Sequence, residues 1–551
     1  MFKQSSKNTA PEMFSNITQH LPCNKLKTFN DPNAWHNVFQ SNITEQIDEK
    51  NFSILYPSHT GRSNAPIRIM AAMLILKEGY GWSDAQLFEN SNFNILVMNA
   101  LGLTNMSDTI PVPSTYYLFK QHLYNYQVKE GVDLIGEMFK TLTKNQVKMY
   151  GVNGERIRMD SKLIGSNIVK CSRLQLIIKC IQSFYSDLEK TDTALLLSSD
   201  RDFLEQLKSK KSHQIVYSLT NEQKQEYLEK LGYLLATLLR TYNDSYSRRY
   251  RIIERLFTEQ YYILEEQIQL KSVKEISSAS LQSPYDEDAT YRKKENQQVQ
   301  GYSVNLTETC NKEELNLITN VQVEKSNTAD NSFLITATQS SEDILEQNVK
   351  EIYSDGAYHS EENDEYAQAN EITLYHTGLQ GAESKYAFQW QEDEQLEVTD
   401  TQTGEIYQSQ KHITKKGVIK YKIKLNNKAR YFTTKEIETY FKRMQIKEMP
   451  KEISNRRCNV EASIFQLCFL SRNNKTRYRG IIKHKLWTIA RCLWINMVRI
   501  KKYLVKLWEN NAQLAKNTSK NTPKIALSIF ITLIFDFLIR KHVEFEAHKS
   551  E

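Results

Sequence analysis

The sequence predicts an α/β fold in which a helical N-terminal domain precedes a strand-based core that is interrupted by a large all-helical insertion. Three observations predict it. Apolar residues recur at helical spacing from Pro66 to about Asn145. The rhythm then changes to a two-residue alternation just after Asn153-Gly154. A leucine stripe of helical period separates that alternation from the next strand signal, at Tyr302–Glu308. A chain of 551 residues has room for several domains.

Residues 1–57 carry few periodic signals and read as a loosely ordered arm, which bounds the helical N-terminal domain at 58–150. Pro66 suits a helix start, and Ile69, Met70, Met73, Leu74 and Leu76 follow until Gly79 and Gly81 interrupt. Ser83 and Gln86 form a capping box that opens a second helix through Leu87 and Phe88. Ser114, after Pro111 and Pro113, is placed to cap a third through Phe119 and Leu123, and a fourth is expected from about Val128 to Asn145.

Within 151–169, Ile157 and Met159 alternate with Arg156, Arg158 and Asp160, so a strand is expected to end on Asp160. Residues 170–300 form a helical insertion and linker. Leu228, Leu231, Leu234, Leu235 and Leu238 share one stripe, and Ile252, Leu256 and Ile263 continue the pattern. The stripe reads as core packing rather than as a coiled-coil surface. Ser277 to Gln300 is polar and irregular.

The remainder of the core is 301–505. Strands at Tyr302–Glu308 and Leu317–Val323 suggest a hairpin. Ser340 with Asp343 is expected to cap a helix through Ile344, Leu345 and Val349, after which Ile352 and Tyr353 lead into a strand ending at Asp355-Gly356. A β-rich insertion near 386–425 turns at Thr403-Gly404. Glu461 is expected to open a helix whose apolar side is Val460, Ile464, Leu467 and Cys468. Residues 506–551 form a C-terminal tail with an apolar helix.

The formal charge of +7 is mild, but it is unevenly spread. Arg472 to Lys506 holds 11 Lys or Arg and no acid, whereas Glu342 to Asp400 holds 16 acids with only Lys350 and Lys385 as bases. Such segregation lets one surface attract phosphates. The seven cysteines show no CxxC pair and no zinc-ligand spacing, which fits a reducing cytoplasm. The start of the chain has no apolar signal-peptide run. Ile525 to Ile539 is apolar, but it is short of the roughly 20 residues that a bilayer helix needs, and it contains Asp536. It reads as a buried terminal helix, with a membrane tether as the alternative. No membrane partner is expected.

Two acids at strand ends and a third on a helix form a candidate catalytic set: Asp160, Asp355 and Glu461. Taken alone, an Asp before Gly is commonly a turn former. Together, three carboxylates supply the oxygen ligands that hard divalent cations require and leave positions for phosphate and water. Glu361 and Glu362 are alternatives for the third acid by position. Asp286 and Asp288 read as turn residues, and His359 as an exposed histidine.

Several motifs carry a family resemblance. Gly61-Arg62-Ser63-Asn64-Ala65-Pro66-Ile67-Arg68, Gly79-Tyr80-Gly81-Trp82-Ser83-Asp84 and Pro113-Ser114-Thr115 resemble the helical N-terminal domain of bacterial insertion-sequence transposases of the InsH type. Met159-Asp160-Ser161 resembles the first catalytic strand of these DDE enzymes. Ser283 to Tyr291 with Gly301-Tyr302 resembles their entry into the second strand, and Ser354-Asp355-Gly356-Ala357-Tyr358 resembles the second-acid motif. Asn459 to Gln466, with Arg477-Tyr478-Arg479-Gly480 downstream, resembles the third-acid helix.

In order, the match runs from about residue 55 to 505. The resemblance implies an RNase H-like core that cleaves transposon ends and transfers strands into target DNA, using Mg²⁺ or Mn²⁺ as two ions on Asp160, Asp355 and Glu461. It also implies terminal inverted repeats and target DNA as partners, a homodimer on DNA, and a nucleoid-associated location. Related enzymes often have a lysine seven residues beyond the glutamate and a tyrosine three before the arginine; here Cys468 and Ser454 stand there. DNA contacts are therefore expected from Arg457, Lys475, Arg477 and Arg479. The alternative is a catalytically inactive, transposase-derived DNA-binding protein.

Overall fold

Two units each gather a core of their own: residues 1–119, 312–317 and 493–551 form one, and 120–311 with 318–492 form the other. The computed structural model describes residues 1–519 except 6–14, 20, 59, 187, 189–194, 243–246, 295–296, 380, 392–394, 416 and 426–427; at 458 and 514–519 the backbone alone is described. The apolar run Ile525–Ile539 and the rest of the expected tail beyond 519 lie outside the described residues.

In the first unit, helices α1 (Cys23–Phe29) and α2 (Trp35–Phe39) are followed by a π turn at Gln40–Thr44 and a 3₁₀ turn at Glu49–Leu55. Val38, Phe39, Ile43, Ile47 and Phe52 are buried there, so most of the expected loose arm is packed structure. Its elements are only five to seven residues long, too short for a hydrophobic period to register. Helix α3 (Ile67–Tyr80) is buried on nearly every side and stops at Gly81, which takes the left-handed φ of 70°. Gly79 does not interrupt it. A Cβ there would stand 2.3 Å from the Trp494 ring, so the absent side chain makes room for an indole that also packs on Trp35, Phe39 and Tyr80. The Ser83–Gln86 capping box opens α4 (Asp84–Phe93), as expected, and α5 (Ile95–Ala100) follows.

Helix α6 (Pro113–Glu130) begins one residue before the expected cap. Gly131, at φ 74°, breaks the chain, so the next helix is α7 (Leu134–Tyr150), capped by Asp133, rather than a run from Val128.

The second unit is built on a six-stranded mixed sheet. Its strands are β1 (Arg156–Gly165), β4 (Thr290–Lys294), β5 (Gln297–Thr309), β6 (Ile318–Lys325), β7 (Glu351–Ser354) and β8 (Thr373–His376). The order is β4-β5-β1-β7-β8, with β6 also on β5. Strands β1, β7 and β8 run parallel, while β5 is antiparallel to β1 and to both of its other neighbours. One long strand serves both partners on its outer edge: Gln297–Gly301 pairs with β4, and Tyr302–Glu308 pairs with β6. The change falls at Gly301, where a Cβ would meet the Ile164 carbonyl oxygen at 2.2 Å. This architecture, a mixed sheet with helices α13 (Leu334–Leu345) and α14 (Glu361–Ala369) between its later strands, fits an RNase H-like core. Ser340 lies inside α13 instead of capping it, because that helix starts upstream from the 3₁₀ turn Asp330–Phe333.

The insertion between β1 and β4 has helices α8 (Arg173–Tyr185), α9 (Ser198–Ser209), α10 (Ser212–Ser218), α11 (Asn221–Thr241) and α12 (Arg248–Gln260). Its leucine stripe is core, as expected: Leu231, Leu234, Leu235 and Leu238 bury against Ile177, Ile252 and Leu256. It is not helical throughout. Ile263 lies in a hairpin of β2 (Tyr261–Leu264) and β3 (Gln267–Leu270), and its side chain is exposed. Glu265 and Glu266 make the turn at positive φ.

The β-rich insertion forms two three-stranded sheets. One holds β9 (Tyr386–Trp390), β10 (Leu396–Asp400) and β11 (Ile406–Gln408), and the other β12 (Gln410–Ile413), β13 (Ile419–Leu425) and β14 (Lys428–Thr433). Tyr386, Phe388, Leu396, Val398, Tyr421, Ile423 and Phe432 bury together with Ile437 of α15 (Thr434–Glu448). Helix α16 (Lys451–Cys468) returns to the main sheet, and α17 (Ile481–Ser519) follows. Among the described residues no helix is long and apolar enough to cross a membrane.

Candidate active site

Sheet register explains why the first two acids meet. Arg158 pairs with Tyr353 across the parallel strands β1 and β7. Two residues beyond that pair come Asp160, still in β1, and Asp355, just past the end of β7, so both leave neighbouring strands, about 4.8 Å apart, at the same height. Asp160 does not end its strand: β1 continues to Gly165, and the alternation fades because Lys162 and Leu163 are both half-buried. Strand β7 stops at Ser354, and Asp355 caps a 3₁₀ turn by accepting from the Ala357 N–H at 2.8 Å.

Helix α16 brings the third acid. Glu461 sits in mid-helix rather than opening it, since Pro450 starts the helix ten residues earlier than the apolar pattern suggested. Val460, Ile464, Leu467 and Cys468 are buried on its inner side, as expected. A buried ionic pin fixes the helix along the sheet. Arg158 of β1 donates to Glu308 of β5 at 2.6 Å and to the Arg456 carbonyl at 3.1 Å, and Glu308 accepts from the Ser463 hydroxyl at 2.5 Å.

Asp160, Asp355 and Glu461 line one cavity of about 430 Å³. Arg457, also expected from sequence, lines it too and lies between two of the acids: its guanidinium is 3.3 Å from Asp160 and 3.3 Å from Glu461. Burial pushes the Asp160 carboxyl up to about 6; Arg457 opposes this, while Asp355 and Glu461 add to it. That mutual repulsion marks an excess of negative charge that a cation would relieve. Tyr358 does not line the cavity but is close enough to feel its acids: it is fully buried, donates to Asn305 at 2.6 Å, and has its phenol held well above the usual range by burial and by Asp160, Asp330 and Asp355.

Carboxylate oxygens fit a hard divalent cation, and the neighbouring Cys468 does not compete because burial raises its thiol, keeping it protonated. As placed, however, no three acids, histidines or cysteines among the described residues are gathered tightly enough to enclose an ion, and Arg457 occupies two of the carboxylates.

Sequence reasoning missed several cavity residues. Asp330 is a fourth acid there, paired with Arg292 at 3.0 Å. Lys162 projects from the same face of β1 as Asp160. Phe465, one helical turn beyond Glu461, is 65% exposed. Only the two-residue and four-residue spacings of Lys162 and Phe465 from the acids hinted at them. The alternatives Glu361 and Glu362 lie on α14 and do not line the cavity.

Lys475, Arg477 and Arg479 stand apart from the acids, in the loop before α17. Lys475 donates to the Ile168 carbonyl, Arg479 donates to the Asn167 carbonyl at 2.8 Å and lies over the Tyr285 ring, and the Arg477 carbonyl accepts from Asn167. Asp286 closes the Ser283–Asp286 turn, its N–H donating to the Ser283 carbonyl at 3.3 Å, as expected of a turn residue, and its carboxylate is in addition a buried knot that holds that loop. It accepts from the Ser166 hydroxyl, from Tyr302 at 2.6 Å, from Gly480 N–H at 3.0 Å and from Ala289 N–H at 3.2 Å. Asp288 accepts from Ile481 N–H at 3.3 Å. His359 is not free in solvent either: it lies 3.2 Å from Asp364, beside Lys442.

Residues 28–122 match a family described as a transposase domain (DUF772). The match supports a transposase family for this chain and covers residues on both sides of the expected boundary at 57. No curated protein matches the chain.

Proposed function

We propose that this chain is a DDE-type transposase, which cuts DNA at the ends of an insertion sequence and joins them to target DNA. One observation carries the reading: three acids from distant parts of the chain converge on one cavity, in a protein that also matches a transposase domain. Asp160, Asp355 and Glu461 would hold Mg²⁺ or Mn²⁺, two ions in all. Such ions, when bound, supply activation of an attacking water or 3′-hydroxyl and stabilise the leaving oxygen.

The chain's own residues hold and orient. Arg457 now neutralises Asp160 and Glu461, and a DNA phosphate would offer its guanidinium another anionic partner, freeing both carboxylates. Lys162 makes no ion pair among the described residues and is placed to meet a phosphate oxygen in the cavity. Lys475, Arg477 and Arg479 would add contacts to the DNA backbone further out, and a homodimer would pair two DNA ends. The cytoplasm, at the nucleoid, is the expected location.

The uncondensed placement of the acids favours a second reading, a transposase-derived protein that binds DNA without cutting it. One experiment separates the two. DNA carrying the flanks of the gene is incubated with wild type and with Asp160→Asn, Asp355→Asn or Glu461→Gln, with and without Mg²⁺. The enzyme reading expects Mg²⁺-dependent nicking in wild type alone, with binding retained in all. Binding without nicking in wild type would establish the second reading, and nicking by any variant would remove that residue from the catalytic set.

A further inference from the structure

From Ile406 to Thr433 the chain has 8 Lys or Arg and no acid. Strand pairing arranges much of this charge. Along β13, Ile419, Tyr421 and Ile423 fall on one face, and Lys420, Lys422 and Lys424 fall on the other. The first face is consumed by the core with Phe432 and Ile437. Across the second, Lys422 faces Gln410 on one neighbour and Tyr431 on the other, and Lys420 faces His412 and Thr433. None of these three lysines forms an ion pair with an acid among the described residues; Lys422 instead lies 5.8 Å from the Tyr431 ring, which is half-exposed.

A row of like charges on alternate residues of one strand stands roughly 6.8 Å apart and repels itself mildly, a repulsion that a polyanion lying along it would turn into attraction. Among the described residues no acid pairs with these lysines to offset that repulsion. A single-strand reader would show a succession of stacking aromatics, whereas this face offers Tyr431 and His412 among cations. It suits the phosphates of a duplex.

We propose that the outer face of the β12–β13–β14 sheet is a second DNA surface, separate from the acid-lined cavity, that grips duplex backbone without regard to sequence. The proposal takes its choice of polyanion from the transposase reading. Because the sheet lies between Asp355 and Glu461 in the chain, it would keep a bound duplex tethered to the unit that carries the acids.

The test measures binding of a short duplex of arbitrary sequence by fluorescence anisotropy over a salt series, in EDTA. Each phosphate neutralised contributes about 0.9 to the slope of log K against log salt, so Lys420→Gln/Lys422→Gln/Lys424→Gln should reduce the slope by about 2.7. The matching triple Lys→Arg variant should retain it, which separates charge from folding. A slope unchanged by the glutamine triple, or an equal loss from Lys208→Gln/Lys210→Gln/Lys211→Gln in the helical insertion, would overturn this surface alone. Failure of wild type to bind any duplex would overturn both this surface and the transposase reading.

Discussion

The buried pin under α16 can be tested quantitatively. Arg158 and Glu308 have side chains only 6% and 0% exposed, and their 2.6 Å contact is backed by the Arg456 carbonyl and the Ser463 hydroxyl. Glu308→Ala strands a guanidinium in the interior, and breaking such a pair by removing one partner costs about 3–5 kcal/mol. Ser463→Ala removes one hydrogen bond to a charged group, worth about 1.5–3 kcal/mol. The double change Arg158→Met/Glu308→Leu removes both charges and replaces them with apolar volume. It should cost far less than the sum of its single changes, a coupling of roughly 3 kcal/mol. Urea unfolding followed by tryptophan fluorescence measures wild type, Glu308→Ala, Ser463→Ala, the single variants Arg158→Met and Glu308→Leu, and their double. A cost below about 1 kcal/mol for Glu308→Ala, or an additive double variant, would refute the view that this pair is desolvated and fixes the helix carrying Glu461.

Two further predictions concern the start of α17 and the loop that precedes it. Asp286→Ala leaves the Ser166 and Tyr302 hydroxyls and the Gly480 N–H without their acceptor, and at about 1–3 kcal/mol for each buried orphan the domain should lose several kcal/mol and become open to proteolysis near Gly480. An unchanged urea midpoint with unchanged protease resistance would contradict the buried knot. His484 is fully buried against Tyr302 with Nδ1 lacking a partner, and burial lowers its pKa to about 4. Unfolded chains take up this proton near pH 6.5 and the folded chain does not, so stability is complete above that pH and falls as pH drops toward 4, by up to about 3 kcal/mol from this group. His484→Gln should show a shallower acid loss in unfolding experiments at pH 7, 5.5 and 4, and a slope equal to that of wild type would rule the histidine out.

Much of the layout was legible in the residues themselves. The capping box at Ser83–Gln86, the leucine stripe of α11, the β5–β6 hairpin and the apolar side of α16 are all local patterns, and each stands where the sequence placed it. Other elements were misread for local reasons. The exposed β2–β3 hairpin carries Ile263 at a spacing that continues a helical stripe, and the short N-terminal elements around Phe39 and Phe52 are too brief to show a period. Asp286 showed its turn but not its buried bonding, because its partners Ser166 and Gly480 lie 120 and 194 positions away.

The sequence by itself determined which residues could serve: where the acids and bases lie along the chain, which segments favour helix or strand, and which side of each is apolar. Those properties follow from side-chain chemistry and from the 3.6- and 2-residue periods of the backbone. Tertiary structure decided which of them meet. The pairing of Arg158 with Tyr353 levels Asp160 with Asp355, and the Arg158–Glu308–Ser463 pin sets Glu461 and Arg457 beside them. Strand register and interior ion pairing join residues separated by hundreds of positions, and no local period carries that information.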